Sequence, residues 1–363
     1  MAESVQSCTT KQSSQLKSQL LSRGMLKDFL CYGIPSATID ELDSGLDFAH
    51  SVFSMPSMQS AKTVWLISDG KKGHENQSLG LLQALGQHAR ITSVRLSIKN
   101  MSARWRDLLW PSTRFRQALK PYTHPDLIIG TGSRTHRYLL ACKRATQAPT
   151  IVLMAPARGL SNCFDRCIVP QHDQRSGSRI IPTLGALNTV VPAAQRRPDS
   201  GLILIGGPSK HHDWDSTALN QQIEHILMAD PQTQWTLTNS RRTPDASIQS
   251  IDTAFGSQLK IQRVNDCAPG WLAQQLSRVE KCWATEDSVS MIYEALSGGA
   301  RVGILPVPRK RSKARILRGL EDLVASQHVQ IFNKGQAQLN ARNTHPPLAE
   351  AQRVAALIAS DFF

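Results

Sequence analysis

Nothing in this chain of 363 residues approaches the roughly 18 consecutive apolar residues that a bilayer-spanning helix needs. Mean hydropathy is -0.27, which also argues against a membrane-spanning protein. The N-terminus, MAESVQSCTTKQSSQLKSQL, lacks the basic-then-apolar order of a secretory signal. The seven cysteines are scattered, odd in number and without a CxxC pair. That argues against zinc and a disulfide framework and makes a reducing compartment the default. The phosphate loop GxxxxGK[ST] and the dinucleotide fingerprint GxGxxG are both missing, so ATP hydrolysis and ordinary dinucleotide binding lose ground. No convincing DxD-type metal motif is present, and metal independence is the expectation. Acidic residues are also scarce: 28 Asp and Glu stand against 42 Lys and Arg, for a net charge of +14. Such a surplus suits an anionic partner, whether nucleic acid, a phosphorylated ligand or an acidic membrane. It is uneven, with ten Lys or Arg between Lys99 and Arg144 against Asp107 and Asp126.

What is present is a repeated alternation. Residues 1–60 are rich in Ser, Gln and Met, with weak helical patterns near 12–31 and 38–50; they read as an extension outside the main fold or as a floppy tail. From KTVWLISDG (62–70) onward, apolar β-prone runs end in glycine or small-residue turns: ITSVRLSI (91–98), PDLIIGTG (125–132), PTIVLMAP (149–156) and DRCIVPQHD (165–173). Helical patterns lie between, at 77–87 and in SRTHRYLLACKRAT. The pattern restarts after PAAQRRPDSG (192–201) with GLILIGGPS, QWTLTNSRRTP, LKIQRV, VEKCWAT, RVGILPVP and VQIFN. Strands that alternate with helices predict parallel sheets covered on both faces. The expected fold is α/β, two Rossmann-like domains facing across a cleft: 61–195, then 196–340, with a last helix in 341–363 packing back on the body.

Ligands of open α/β sheets sit at the carboxyl ends of strands. That rule gathers six loops around one crevice: SDGKKGHENQ (68–77), GTGSRTH (130–136), APARG (155–159), GGPSKHH (206–212), TNSRRT (238–243) and TEDS (285–288). In the first, Gly70 and Gly73 permit a tight turn, Lys71 and Lys72 add charge, and His74 can exchange a proton near neutrality. The second offers Ser133 and Arg134, with Ser133 or Thr135 as a helix cap, and the third Arg158. The fourth offers Gly207, Ser209 and Lys210; its paired histidines, His211 and His212, are poorly placed for chelation alone. The fifth offers Ser240, Arg241 and Arg242, suited to phosphate. In the sixth, Thr285 or Asp287 could cap a helix whose start exposes the N–H groups of Ser288, Val289 and Ser290, a seat for a diphosphate. Glu294 follows on the same helix, roughly 9 Å further along its axis, where a carboxylate can accept two ribose hydroxyl protons. Each loop also has a plain reading as a basic surface turn, and Glu294 as a solvated surface glutamate.

ATEDSVSMIYEALSGGARVGILPVP resembles the second-domain segment of the bacterial lipid II-forming N-acetylglucosaminyltransferase and its GT-B relatives. That resemblance implies a helix start facing a diphosphate and a ribose-binding role for Glu294. DGKKGHENQSLGLLQAL resembles the glycine loop of the same group, with His74 matching its histidine. WLISDGKKGHENQSLGL, PDLIIGTGSRTH, LILIGGPSKHH, TNSRRTP and TEDSVSMIYEAL together resemble the ELM1-like family, named for a plant mitochondrial-fission protein and widespread in bacteria. The resemblance implies either a glycosyltransferase using a nucleoside diphosphate sugar, with no separate cofactor, or a non-catalytic fission or scaffold protein on a GT-B shell. For transfer, His74 would be the base, with Asp69 assisting it or holding the loop. Trp105, Leu108, Leu109 and Trp110 lie among basic residues within 100–120, fitting an anionic membrane surface or a packed helix with a basic outer face. A cytoplasmic protein peripheral to a bacterial inner membrane is expected, or one on the mitochondrial outer surface. No specific nucleic-acid module is recognisable.

Overall fold

Strands buried on both faces need apolar residues at every position, and this is how the chain's central strands are written. In the computed structural model, which describes residues 61–363 except 102, 311–314 and 340–344, twelve strands form two six-stranded sheets. The extension 1–60 and its expected helices lie outside the described residues. The first sheet holds β1 (Lys62–Ser68), β2 (Ile91–Ser97), β3 (Leu127–Thr131), β4 (Thr150–Leu153), β5 (Arg166–Pro170) and β6 (Ile180–Thr183) in the order β2-β1-β3-β4-β5-β6. The second holds β7 (Arg197–Ile205), β8 (Gln234–Asn239), β9 (Lys260–Gln262), β10 (Val279–Thr285), β11 (Arg301–Leu305) and β12 (Val329–Ile331), ordered β12-β11-β10-β7-β8-β9. Every pairing within both sheets is parallel.

The alternation of side chains divides each sheet into two cores. In β1, Val64 and Leu66 face a cluster closed by α1 (Lys72–Leu85) and by the last helix, α9 (Glu350–Phe362). Trp65 and Ile67 face the opposite cluster, under α2 (Thr113–Leu119) and α3 (His136–Thr146). In the second sheet, α4 (Ser216–Ala229) and α5 (Asp245–Phe255) cover one side. The other is covered by α6 (Trp271–Leu276), α7 (Val289–Gly298) and α8 (Arg315–Ala325). The result is the expected α/β architecture, two Rossmann-like domains facing across a cleft, and both sheets belong to one unit, Met58–Phe363.

Several local expectations change. The segment read as a loop up to residue 77 is already helix from Lys72, so Gly73 and His74 stand in the first turn of α1. β7 starts at Arg197 rather than at 201. The structure also adds β6, α5 and α8 to the sequence reading. α9, expected to pack against either half, lies on the first sheet through Ala351, Val354, Ala355 and Ile358.

Candidate functional site

Strand order reverses between β1 and β3 in the first sheet and between β7 and β10 in the second. A reversal leaves the loops on either side running away from each other, which opens a crevice at the carboxyl ends of the strands. Four of the six candidate loops leave from these four strands. The loop after β4, with Arg158, and the loop after β8, with Ser240 and Arg241, lie one strand further out.

At the first reversal, Gly70 takes a left-handed turn (φ +80) that carries the chain from β1 into α1. Asp69, its carboxylate fully buried, accepts the Lys71 N–H at 3.1 Å and faces His74 Nδ1 at 3.0 Å. A carboxylate only accepts, so Nδ1 carries a proton, and in the neutral imidazole Nε2 keeps its lone pair. Gly132, after β3, closes the other side of the ring. Its φ is +81, and a Cβ there would stand 2.4 Å from His74 Cε1. Gly132→Ala is therefore expected to cost about 1–3 kcal/mol through the left-handed backbone and overpacking, and to lower any turnover by tilting the imidazole. A thermal melt and a rate on the same preparation check both. Beside the pair, the Ser68 hydroxyl donates to Glu75 at 2.6 Å and, with Arg95, holds that carboxyl below the usual range despite burial.

At the second reversal the expected cap is replaced by something else. Neither Thr285 nor Asp287 caps α7; Ser288 occupies the N-cap position with no side-chain cap bond. Asp287 instead reaches sideways to accept the Gly207 N–H at 3.0 Å and pairs with Arg242 at 2.7 Å, while Thr285 Oγ1 accepts the Gly206 N–H at 2.8 Å. Arg242 also donates to the Gly207 carbonyl at 2.7 Å. These bonds lock the β7, β8 and β10 loops together, and Gly206 is obligatory because a Cβ there would meet Asp287 Oδ2 at 2.1 Å. Val289 and Ser290 start α7 without a side-chain cap, at the positive end of the helix dipole.

Glu294 lies on α7, where its Oε1 accepts Asn76 Nδ2 of α1 at 2.9 Å. Burial pushes its carboxyl up to about 7, against the lowering influence of the Asn76 bond.

Residues 72–362 match the sequence profile described as Mitochondrial fission ELM1. The chain belongs to the mitochondrial fission ELM1 family. An uncharacterised protein of Rickettsia prowazekii is 24% identical to this ELM1-family chain, over 81% of the chain and 97% of the relative. Among solved structures, the UDP-GlcNAc 2-epimerase of Methanocaldococcus jannaschii is similar with a TM-score of 0.52 at 10% identity, covering 83% of this chain and 99% of its own. An ADP-bound heptosyltransferase of E. coli is similar with a TM-score of 0.43 at 12% identity, covering 82% and 99%. The fold is GT-B-like.

The remaining candidates of this ELM1-family protein divide between solvent and scaffold. Lys72, Ser133, Arg134, Arg158, Lys210, Arg241 and Ser290 are exposed. Ser209 and Ser240 are scaffold. The Ser209 hydroxyl accepts the His211 and His212 N–H groups, and that of Ser240 accepts the Arg242 N–H. Thr135, read as a cap, makes no cap bond and donates to the Gly132 carbonyl. His136 packs on Phe164 in the core, and burial lowers its pKa. Sequence reasoning passed over Asn76, whose polar neighbourhood gives no signal, and Asp287 as an anchor rather than a cap.

Proposed function

We propose that the protein is a glycosyltransferase that moves a sugar from a nucleoside diphosphate sugar to an acceptor hydroxyl. The observation that carries this reading is the Asp69–His74 pair at one strand reversal, with the uncapped start of α7 and Glu294 at the other. In this reading His74 Nε2 takes the acceptor proton as that oxygen bonds the anomeric carbon. The bond from the anomeric carbon to the diphosphate breaks, and the nucleoside diphosphate leaves with the bonding pair. Its growing charge is met by the N–H groups of Val289 and Ser290 and by exposed cations, among them Lys72, Arg134, Arg158, Lys210 and Arg241. Gly70, Gly73, Ser133, Gly207, Ser209, Ser240 and Ser288 shape the surrounding backbone, and Glu294 takes the ribose. A thermal-shift screen of UDP-, GDP-, CMP- and ADP-sugars, followed by assay of nucleotide release, tests the reading. No stabilisation by any donor would sink it. Stabilisation without release or transfer would favour the second reading, a non-catalytic fission or scaffold protein, which the family's description supports.

The acceptor side faces an anionic membrane surface in this proposal. Leu109 and Trp110 are 69% and 82% exposed among the basic residues of 100–120. A cavity of about 370 Å³ lined in part by the same segment combines Arg95 and Arg114 with Leu96, Met101, Phe115 and Tyr122. Among the described residues no helix is long and apolar enough to cross a membrane, so contact would be peripheral. Trp110→Ala is expected to weaken binding to vesicles rich in anionic lipid by about 1–3 kcal/mol, read by co-sedimentation; unchanged binding would remove this surface from the proposal.

A further inference from the structure

Among the described residues, the Glu294 carboxylate has one polar side-chain partner, and it comes from the other domain. Asn76 stands one turn into α1, two residues after His74, and donates Nδ2–H to Glu294 Oε1 at 2.9 Å across 218 positions of sequence. On its other side the amide's Oδ1 accepts the Thr189 hydroxyl at 3.2 Å. Thr189 belongs to the segment joining the two sheets, where Asn188 also donates to Ser297 of α7 at 2.9 Å. That segment lies tight on α1: a Cβ at Gly80 would come 2.2 Å from the Asn188 carbonyl oxygen. A hydroxyl donor on one side and a carboxylate acceptor on the other thus define which end of the Asn76 amide faces Glu294.

We propose that Asn76 is the positioning residue of the donor site, its amide holding one oxygen of Glu294 from the opposite domain so that the other is presented to the ribose hydroxyls of a nucleoside diphosphate. This rests on the ribose role given to Glu294 above. Burial disfavours the ionised carboxylate that two ribose hydroxyls require, and the Asn76 bond offsets part of that cost. The other polar groups near Asn76 on α1 are engaged elsewhere, His74 with Asp69 and Glu75 with Ser68 and Arg95. Asn76 also ties the donor subsite to the helix turn that carries His74, so one hydrogen bond joins the two halves of the reaction centre.

Asn76→Asp separates this role from a merely structural one. Aspartate is isosteric and keeps the bond from Thr189, but it turns a donor toward Glu294 into an acceptor. With the full-length protein and UDP as the probe, calorimetry between pH 6 and pH 9 is expected to show at least tenfold weaker binding at pH 8. The loss should be smaller at pH 6, where the two carboxyls can share a proton. Donor-saturated turnover should change far less than the apparent donor affinity, because the Asp69–His74 pair is untouched. Affinity within twofold of wild type at every pH, while Glu294→Ala weakens UDP, would overturn the proposal. Carbon-13 NMR of the Glu294 carboxyl in the nucleotide-free protein separates this from failure of the ribose role itself. A raised titration in Asn76→Asp, with UDP binding indifferent to both substitutions, would sustain the contact and overturn the ribose assignment. An unmoved titration would overturn the contact.

Discussion

His74→Ala is expected to lower turnover by roughly 10²–10⁴-fold, the usual contribution of a positioned general base, while donor-nucleotide affinity stays close to wild type. The split follows from geometry. His74 belongs to the first sheet, held between the Asp69 carboxylate at 3.0 Å and the face of Gly132, whereas Glu294 and the Val289 and Ser290 N–H groups, proposed for ribose and diphosphate, lie on α7 of the second sheet. Asp69→Asn is the companion experiment. An asparagine amide would donate to Nδ1, forcing the proton onto Nε2 and removing the lone pair that takes the acceptor proton. The ring would remain where it is, so folding and nucleotide binding should survive while turnover falls comparably. The paired measurements are release of nucleoside diphosphate under saturating donor and the nucleotide dissociation constant. Normal turnover in His74→Ala would remove it as the base. Loss of affinity and turnover together would mean that His74 itself also serves the donor, as its neighbours Lys72 and Asn76 are proposed to.

The strands of this fold are legible because parallel strands covered on both faces are unbroken apolar runs. TVWLIS, LIIGT and LILI have no polar face to disguise them. β6 was missed for a related reason: IIPT is short and carries Pro182, tolerable because the strand lies at the sheet edge. The start of α1 is hidden in the sequence because Lys72 to Asn76 show no apolar periodicity. That turn faces the cleft and its neighbours in the site rather than the core, whereas Leu81, Ala84 and Leu85 further along are buried. The carboxyl-end rule therefore places the six loops at strand ends beside the two reversals but cannot say which polar residue in each points inward. Arg241 and Arg242 are adjacent and chemically alike, and only Arg242 closes on Asp287. Asp287 looks like a cap in sequence because caps are local, while its actual partners are 80 and 45 residues away. Asn76 carried no signal, since its significance depends on α7 reaching it from the other domain.

Glu294→Ala is expected to weaken nucleotide binding by about 2–4 kcal/mol, roughly 30- to 1000-fold, as two hydrogen bonds to a charged group are lost. The pH dependence distinguishes this cause from general damage. With its carboxyl pushed up to about 7 by burial, Glu294 is largely protonated in the free protein at pH 6 and largely ionised at pH 8. Ribose hydroxyls donate most strongly to the ionised form, so affinity should rise with pH toward about 7 and level off above it. Stability should run the other way. A carboxyl whose pKa is raised from 4.5 in the unfolded chain to about 7 in the folded one favours folding most fully below 4.5, and that contribution is lost as pH climbs through 7. Glu294→Gln keeps the shape, removes the titration and serves as the baseline, since nucleotide phosphates also titrate in this range. The difference between wild type and Glu294→Gln, measured from pH 5.5 to 8.5, should show nucleotide affinity rising and thermal stability falling over the same interval. Parallel curves for the two proteins would mean that Glu294 does not meet the ribose, and the donor would then have to be held through its diphosphate, at the start of α7 and by the surrounding cations.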